Sequence, residues 1–598
     1  YSPNFPGTAG GAQPSSSVSG PNEAFVTRFN ASLTTRLQST YLGGDGNDRA
    51  YAIAIHPATG DVYVAGETSS LNFPNTANGA QPIHGFNVND AFVSRFNGTL
   101  TTLLQSTYLG GSGNDYGRAM AIHPTTGEVY VAGYTLSTDF PDTAGGAQAS
   151  QGGSSGYIDV FVSRFNAALT ARLQSTYLGG NQNDYAYALA IHPATGDVYV
   201  AGETSSSNFP NTANGAQAGR GGNTYDAFVS RFDGTLTTLL QSTYLGGSAN
   251  DYGRALAIHP TSGEVYVVGY TSSTDFPGTA GGAQSSQGGN GFNDAFVSYF
   301  NAALTTQLRS TYLGGTGAEI AYAVAIHPAT GEIYVAGETD STALPGGASG
   351  AQASLLGGRD AFISRFNTAL TARLQSTYLG GGVVERAYAL AIHPATGEVY
   401  VAGASDSSDF PGTANGAQPA FAGGLDSDAF VSRLSPELTD VNRIPSTVSF
   451  IHQSYVPPNT IRTSNEVQLV ISPNPGNNQQ AAYVSGAEGS ELCVTNTAGC
   501  CADPLPVCGG FSTGWFSNSP SSANPPYQFL SGDRIAVRHT SAASGTAETK
   551  LIISGTAYPF RTSTGNANIA CNLDMNADNK LDATIEGLIL VRAMLGFS

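Results

Sequence analysis

Residues 106–133 read STYLGGSGNDYGRAMAIHPTTGEVYVAG, and the way this stretch recurs decides the fold. Its opening phrase stands at Ser39, Ser106, Ser175, Ser242, Ser310 and Ser376, a spacing of 66 to 69 residues. A fixed period of that size marks a repeat architecture before anything else. Each unit holds four short apolar segments of alternating pattern. In one unit, residues 119–122 form the first strand (position a), stopped by His123-Pro124 and turned at Thr126-Gly127. Residues 128–133 follow as position b. A long loop with Phe140-Pro141 and Gly146-Ala147-Gln148 leads to position c at 159–165, and position d at 173–178 is closed by Gly179-Gly180. β-Branched and aromatic residues punctuated by Gly, Pro and Asn spell strands, and the a–b link is hairpin-short.

Four antiparallel strands per unit, repeated, is the sequence form of an all-β propeller. One such sheet cannot bury both faces alone. Blades stacked in a ring cover each other and leave only short edges. Small residues in phrases such as YALAIHP suit an innermost strand crowded at the axis. A solenoid is the alternative, but it needs polar capping repeats, which a ring does not.

The strand counts are unequal. Position c occurs seven times, from Ala24, Ala91, Val160, Ala227, Ala295, Ala361 and Ala429, whereas a, b and d occur six times each. The last unit has a, b and c but no d. The N-terminal d strand, residues 39–42, is therefore expected to complete the final blade and lock the ring, giving six blades with one c strand to spare. A spare strand can lie idle, begin an imperfect seventh blade, or insert into a neighbouring molecule, which propagates when head-to-tail.

STYLGGSGNDYGRAMAIHPTTGEVYVAGYTLSTDFP, residues 106–141, resembles the SBBP repeat, a bacterial β-propeller family named for seven blades. The resemblance extends over residues 1–436. It implies an extracellular propeller of a family whose members rarely have a defined activity.

The bulk numbers narrow the function. With 598 residues, 40% hydrophobic and 75 glycines, the chain buries a core and is rich in loops. A net charge of −19 argues against nucleic acid, whose phosphates need Lys and Arg. No apolar run reaches the roughly 20 residues of a membrane helix. No leader opens the chain at Tyr1, and the reading is of a mature, exported chain, secreted or held at the cell surface.

The repeat ends near Ser435-Pro436. Alternating segments at 447–450, 466–471, 534–538 and 550–553 suggest a β-sandwich over 444–565. The stretches NTIRTSNEVQLVIS and LSGDRIAVRHTSA resemble an Ig-like domain of bacterial secreted proteins. All five cysteines, Cys493, Cys500, Cys501, Cys508 and Cys571, lie in the C-terminal part, and in a secreted chain they read as one or two local disulfides with one thiol over. A zinc site is the weaker reading, since no C-x2-C pair or nearby His completes it. In the tail, 570–598, Asp574, Asn576, Asp578 and Asp582 fall at positions 1, 3, 5 and 9 of a calcium-loop spacing, with the Lys580 carbonyl at position 7. This resembles a single dockerin-type or EF-hand-like half-motif. It departs from the pattern at Asn579, where Gly is usual, and at Ile585, with Glu586 one place late. A structural Ca2+ would neutralise the carboxylates and fix the following helix; a solvated acidic turn is the alternative.

Within the repeats, His56, His123, His192, His259, His327 and His393 end each a strand before Pro and read as structural hydrogen-bonding groups rather than a metal ring. The acids opening the c strands, Glu23, Asp90, Asp159, Asp226, Asp294, Asp360 and Asp428, recur with Arg28, Arg95, Arg164, Arg231, Arg365 and Arg433, Tyr299 standing in one copy. Recurrence in every blade suits inter-blade bonds, because a catalytic pair is normally unique. The acidic loops after STYLGG, as at Asp45-Gly46-Asn47-Asp48, read as turn chemistry. No nucleophile elbow, P-loop, HExxH or dinucleotide fingerprint stands in suitable context, and the blades read as equivalent. The expectation is a non-enzymatic structural protein, a filament or adhesion subunit and homo-oligomer that assembles through its spare strand. The alternative is an extracellular carbohydrate- or protein-binding module, with the loops at 149–158 and 218–225 as contact sites.

Overall fold

The computed structural model describes residues 4–17, 22–85, 88–154, 156–222, 224–289, 291–422 and 427–439, and beyond these only the backbone of strands between 461 and 564. The chain divides into two units, Tyr1–Arg443 and Ile444–Ser598.

The first unit is an all-β propeller with almost no helix. It opens with a two-stranded ribbon, β1 (Ala24–Phe29) and β2 (Arg36–Leu42). Blade one is β3 (Asp48–Ile55), β4 (Val62–Thr68), β5 (Asp90–Phe96) and β6 (Leu103–Leu109). Blade two is β7 (Asp115–Ile122), β8 (Val129–Thr135), β9 (Asp159–Phe165) and β10 (Arg172–Leu178). Blade three is β11 (Asp184–Ile191), β12 (Val198–Thr204), β13 (Asp226–Phe232) and β14 (Leu239–Leu245). Blade four is β15 (Asp251–Ile258), β16 (Val265–Thr271), β17 (Asp294–Phe300) and β18 (Gln307–Leu313). Blade five is β19 (Glu319–Ile326), β20 (Ile333–Thr339), β21 (Asp360–Phe366) and β22 (Arg373–Leu379). Blade six has three strands, β23 (Glu385–Ile392), β24 (Val399–Ser405) and β25 (Asp428–Leu434).

Within a blade the strands run antiparallel in sequence order, and the a strands pack on one another from β3 through β7, β11, β15 and β19 to β23, so they ring the axis. Each junction between blades is a hydrophobic core. Tyr63, Ala65 and Val93 of blade one meet Met120, Val131 and Phe161 of blade two, all buried. Each such side chain contributes about 1.5–3 kcal/mol of burial. Tyrosines of the b strands stitch the junctions further. The Tyr63 hydroxyl donates to the Ala167 carbonyl at 2.5 Å, and Tyr130, Tyr199, Tyr266 and Tyr334 repeat the bond one blade on each time.

The ribbon closes this ring. The Tyr400 hydroxyl of blade six donates to Ala31 of the ribbon at 2.7 Å, and the Ala417 amide donates to Leu33 at 2.9 Å. The Ala12 amide passes the same link on to Leu100 of blade one at 2.9 Å. Among the described residues six blades carry inner strands, and the ribbon occupies a seventh place with c and d strands alone.

Two expectations are corrected here. β2 does not complete the last blade; it pairs with β1, Thr27 opposite Ser39 and Val26 opposite Thr40. The reason is locality, since a c–d hairpin across a short turn forms before any distant pairing. Consequently no c strand is spare. Among the described residues the ring lacks the a and b strands of the seventh place and a d strand beside β25.

In the second unit, β26 (Ile461–Thr463), β27 (Val467–Gln468), β29 (Glu491–Thr495), β30 (Trp515–Ser517) and β32 (Arg534–Thr540) form one sheet. A second sheet comprises β28 (Gln480–Gly486), β31 (Tyr527–Phe529), β33 (Gly545–Ile553) and β34 (Thr556–Thr564). Cys493 lies in β29, its backbone between Trp515 and Ala536. The residues 447–450, the other four cysteines and the whole calcium loop, Asp574 to Glu586, fall outside the described residues.

Candidate functional site

The a strands each carry a bulge. In β7, Gly117 pairs with Gly133 and Ala119 with Ala132, which leaves Arg118 between them unpaired. A bulge re-aims its extra side chain. The glycine of the VAG phrase is what permits it, because a Cβ on Gly133 would stand 1.8 Å from the Tyr116 carbonyl oxygen. The bulge residues are Tyr51, Arg118, Tyr187, Arg254, Tyr322 and Tyr388.

These residues are not equivalent from blade to blade, contrary to the expectation. Blades one, three and five pair a bulge tyrosine with a glutamate on strand b, Glu67, Glu203 and Glu338. Blades two and four pair a bulge arginine with a b-strand tyrosine: Arg118 donates to the Tyr134 hydroxyl at 2.6 Å, and Arg254 to Tyr270 at 3.0 Å. Each arginine also reaches back to the preceding blade. Arg254 lies 3.0 Å from Glu203 and its guanidinium sits 4.2 Å from the Tyr187 ring; Arg118 lies 3.7 Å from Glu67 and 3.8 Å from the Tyr51 ring. In blade six Arg386 takes the same part, 2.8 Å from Glu338. Tyrosine rings run on across blades two to four through Tyr116, Tyr134, Tyr185, Tyr225, Tyr252 and Tyr270, with centroids 4.6–6.4 Å apart. Burial pulls against the charge on Arg254, but Glu203 and the phenols outweigh it and hold the guanidinium protonated. Burial raises Tyr187 and Tyr252 as well, so these phenols remain neutral donors. The girdle thus offers aromatic faces, hydroxyls and fixed charges around the axis. The signal was present in the sequence, as DYGR…GYT in blades two and four against xAY…GET in one, three and five.

The recurrent acids sit elsewhere. Asp90 at the start of β5 and Asp115 at the start of β7 are fully buried on either side of Gly110, whose Cβ would stand 2.8 Å and 2.5 Å from their oxygens. Asp115 accepts from the Gly111 amide and the Ser137 hydroxyl, both at 2.8 Å, and Asp90 from the Gly85 amide at 2.8 Å. Glu319 and Glu385 accept from Gly315 and Gly381 at 2.9 Å in the later copies, so these acids tie turns to strands. The c-strand arginines do not pair with the c-strand acids. They bond the acid that opens strand b, Arg95 with Asp61 at 2.6 Å, Arg164 with Glu128 at 2.8 Å and Arg231 with Asp197 at 2.6 Å. Tyr299 instead stacks on Tyr266 at 5.0 Å. Each of the six histidines that end an a strand accepts an amide hydrogen of its own turn on Nδ1, as from Ala58 and Thr59 to His56 at 3.2 and 3.3 Å. The loops at 149–158 and 218–225 are tethered to the c strands by Gly152 to Asp159 and Gly221 to Asp226, each 2.7 Å.

The second candidate site is the seventh place, where among the described residues only the strands β1 and β2 stand. It is bounded by β1, by blade six and by the inner strand of blade one. Ile53 of β3 is 60% exposed, whereas Met120 at the same place in β7 is 8% exposed. Val431 of β25 is 37% exposed against 0% for Val93, and Phe25 of β1 is 42% exposed against 0% for Phe161. Among the described residues no helix is long and apolar enough to cross a membrane.

A family model described as SBBP, beta-propeller repeat, matches residues 106–141 and 242–277. No curated protein matches. Among solved structures, Sqt1 from Chaetomium thermophilum aligns at 12% identity over 59% of this chain and 79% of its own, with a TM-score of 0.29. A putative 6-phosphogluconolactonase from Bacteroides uniformis ATCC 8492 aligns at 11% identity over 63% of this chain and 83% of its own, with a TM-score of 0.34. Likenesses this distant carry no argument about activity, and what the chain is similar to in sequence is the SBBP beta-propeller repeat.

Proposed function

We propose that this is a non-enzymatic, exported structural protein, an adhesion or filament subunit that joins another polypeptide by strand pairing at an exposed sheet edge. The observation that carries this reading is that among the described residues β1 pairs with β2 alone, and that Phe25, Val431 and Ile53 are each more exposed than Phe161, Val93 and Met120 at the matching places. An unpaired strand edge is a template for a strand from another chain. The earlier idea of a donated spare strand falls, because β1 is engaged by β2; the molecule accepts strands rather than offering one. Native mass spectrometry and negative-stain imaging of the full chain test it. Oligomers that dissolve in the Phe25→Asp variant support the reading, and a strict monomer that captures no partner strand overturns it.

A second reading is favoured by the tyrosine girdle. Aromatic faces beside fixed carboxylates and guanidinium groups are the chemistry that recognises sugars. A glycan array probed with the wild type and with Tyr252→Ala tests it, the expected result being binding that the variant loses.

A further inference from the structure

We infer that blades two to four form a platform on which a neutral, unbranched glycan lies lengthwise. The inference rests on the second reading, that of the tyrosine girdle, and names its ligand and its place. The second residue of strand a locates the platform. It is Tyr116, Tyr185 and Tyr252 in blades two to four, but Arg49, Ile320 and Arg386 in blades one, five and six. Blades form equally with arginine or isoleucine there, so packing does not demand the tyrosines. In repeats otherwise so alike, departures gathered on three neighbouring blades mark a site.

Strand pairing and ring contacts join these side chains into one ladder. Tyr116 stands opposite Tyr134 in blade two, and Tyr252 opposite Tyr270 in blade four. Blade three adds Tyr225, just before β13, with its ring 6.4 Å from that of Tyr185 and 6.0 Å from that of Tyr252. All six are half-buried, so each ring keeps part of its surface open. At the same end of the blades, Tyr157 and Phe292 stand two residues before their c strands, and Phe292 is 52% exposed. The CH faces of sugar rings pack on such aromatic surfaces, and sugar hydroxyls meet the phenols. Arg118 and Arg254 donate to the Tyr134 and Tyr270 oxygens, which leaves each phenol's own hydrogen to donate to a ligand. Burial raises Tyr185 and Tyr252 to about 12, which keeps them protonated. A ladder crossing three blades covers several units of a chain, whereas a single sugar touches one or two rings. Charge selects a neutral chain. The two guanidinium groups are already paired with Glu67 and Glu203, and a net charge of −19 repels a polyanion.

Calorimetric titration of the full chain tests this with cellohexaose, mannohexaose and chitohexaose as neutral chains, a galacturonate hexamer as the acidic chain, and glucose. A neutral hexasaccharide is expected to bind one-to-one, with glucose weaker by about tenfold or more and the galacturonate hexamer weaker than the neutral chain. Tyr225→Ala is expected to weaken the neutral chain by about tenfold, a loss of about 1.4 kcal/mol, with Tm unchanged because Tyr225 lies in a loop. Tyr252→Ala is expected to weaken it as well. If none of the neutral hexasaccharides binds and the galacturonate hexamer does not bind either, both the inference and the sugar reading fail. If the galacturonate hexamer binds best, or glucose binds as tightly as the hexasaccharides, and Tyr252→Ala abolishes that binding, the inference fails while the girdle remains a sugar site. Binding that neither variant weakens lies elsewhere on the molecule and overturns both.

Discussion

At the level of single residues, the seven c–d turns share an unusual choice. Leu33, Leu100, Leu169, Leu236, Leu304, Leu370 and Leu438 all have φ between 54° and 63°, the left-handed region that a leucine enters at a cost of about 1–2 kcal/mol. Leucine is kept because its side chain is buried in the junction, in all of these but the half-buried Leu33, and its carbonyl accepts the amide of the preceding blade, as Leu169 does from Ala80 at 2.9 Å. Burial outweighs strain. Leu169→Ala is therefore expected to destabilise the propeller by about 2–5 kcal/mol. Leu169→Gly relieves the backbone but loses the same contacts and is expected to remain destabilising, both measured by denaturant unfolding. Glycine at such a turn is what conformational preference alone would suggest, so the buried leucine was not legible from turn chemistry.

Among elements, the paired acids at the blade junctions make the fold sensitive to pH. Burial pushes Asp48 and Asp226 up to about 6, and Asp90, Asp115, Asp159, Asp184, Asp251 and Asp294 up to about 7, against the hydrogen bonds that favour their charged forms. A carboxyl whose pKa is raised in the folded state binds its proton more tightly there than in the unfolded chain. Its stabilising effect is present at acid pH and is lost as pH rises from about 4 to about 7. Tm is accordingly expected to fall between pH 5 and pH 8, and Asp115→Asn to reduce that fall, as read by calorimetry. A Tm that rises over this interval would mean the carboxylates are charged in the fold. The strand pattern itself was largely legible, since alternation delimits strands b, c and d, the Gly-Gly pair stops d, and His-Pro marks the end of a. Strand a was read as 119–122 but runs over Asp115–Ile122. Its first half, Asp-Tyr-Gly-Arg, has turn composition and enters the sheet only through the bulge at Arg118. That same half carries the girdle, which is why treating the repeats as equivalent overlooked it.

For the whole molecule, counting phrases located the imbalance at the two ends of the repeat array but misassigned it. Counting alone does not reveal that a contiguous c–d hairpin pairs with itself, nor that Tyr400 and Ala417 then carry the ring across to it. The central claim is that within residues 1–598 β1 is paired by β2 alone among the described strands. Hydrogen exchange read by mass spectrometry tests it on two nearly identical peptides, AFVTRF at Ala24–Phe29 and AFVSRF at 91–96. Among the described residues β5 is paired on both sides and β1 on one. An antiparallel strand with one neighbour bonds alternate amides, so the first peptide is expected to retain about half as many slowly exchanging amides as the second. Equal protection of the two peptides in the isolated monomer would show that a strand already covers β1, and would contradict the account.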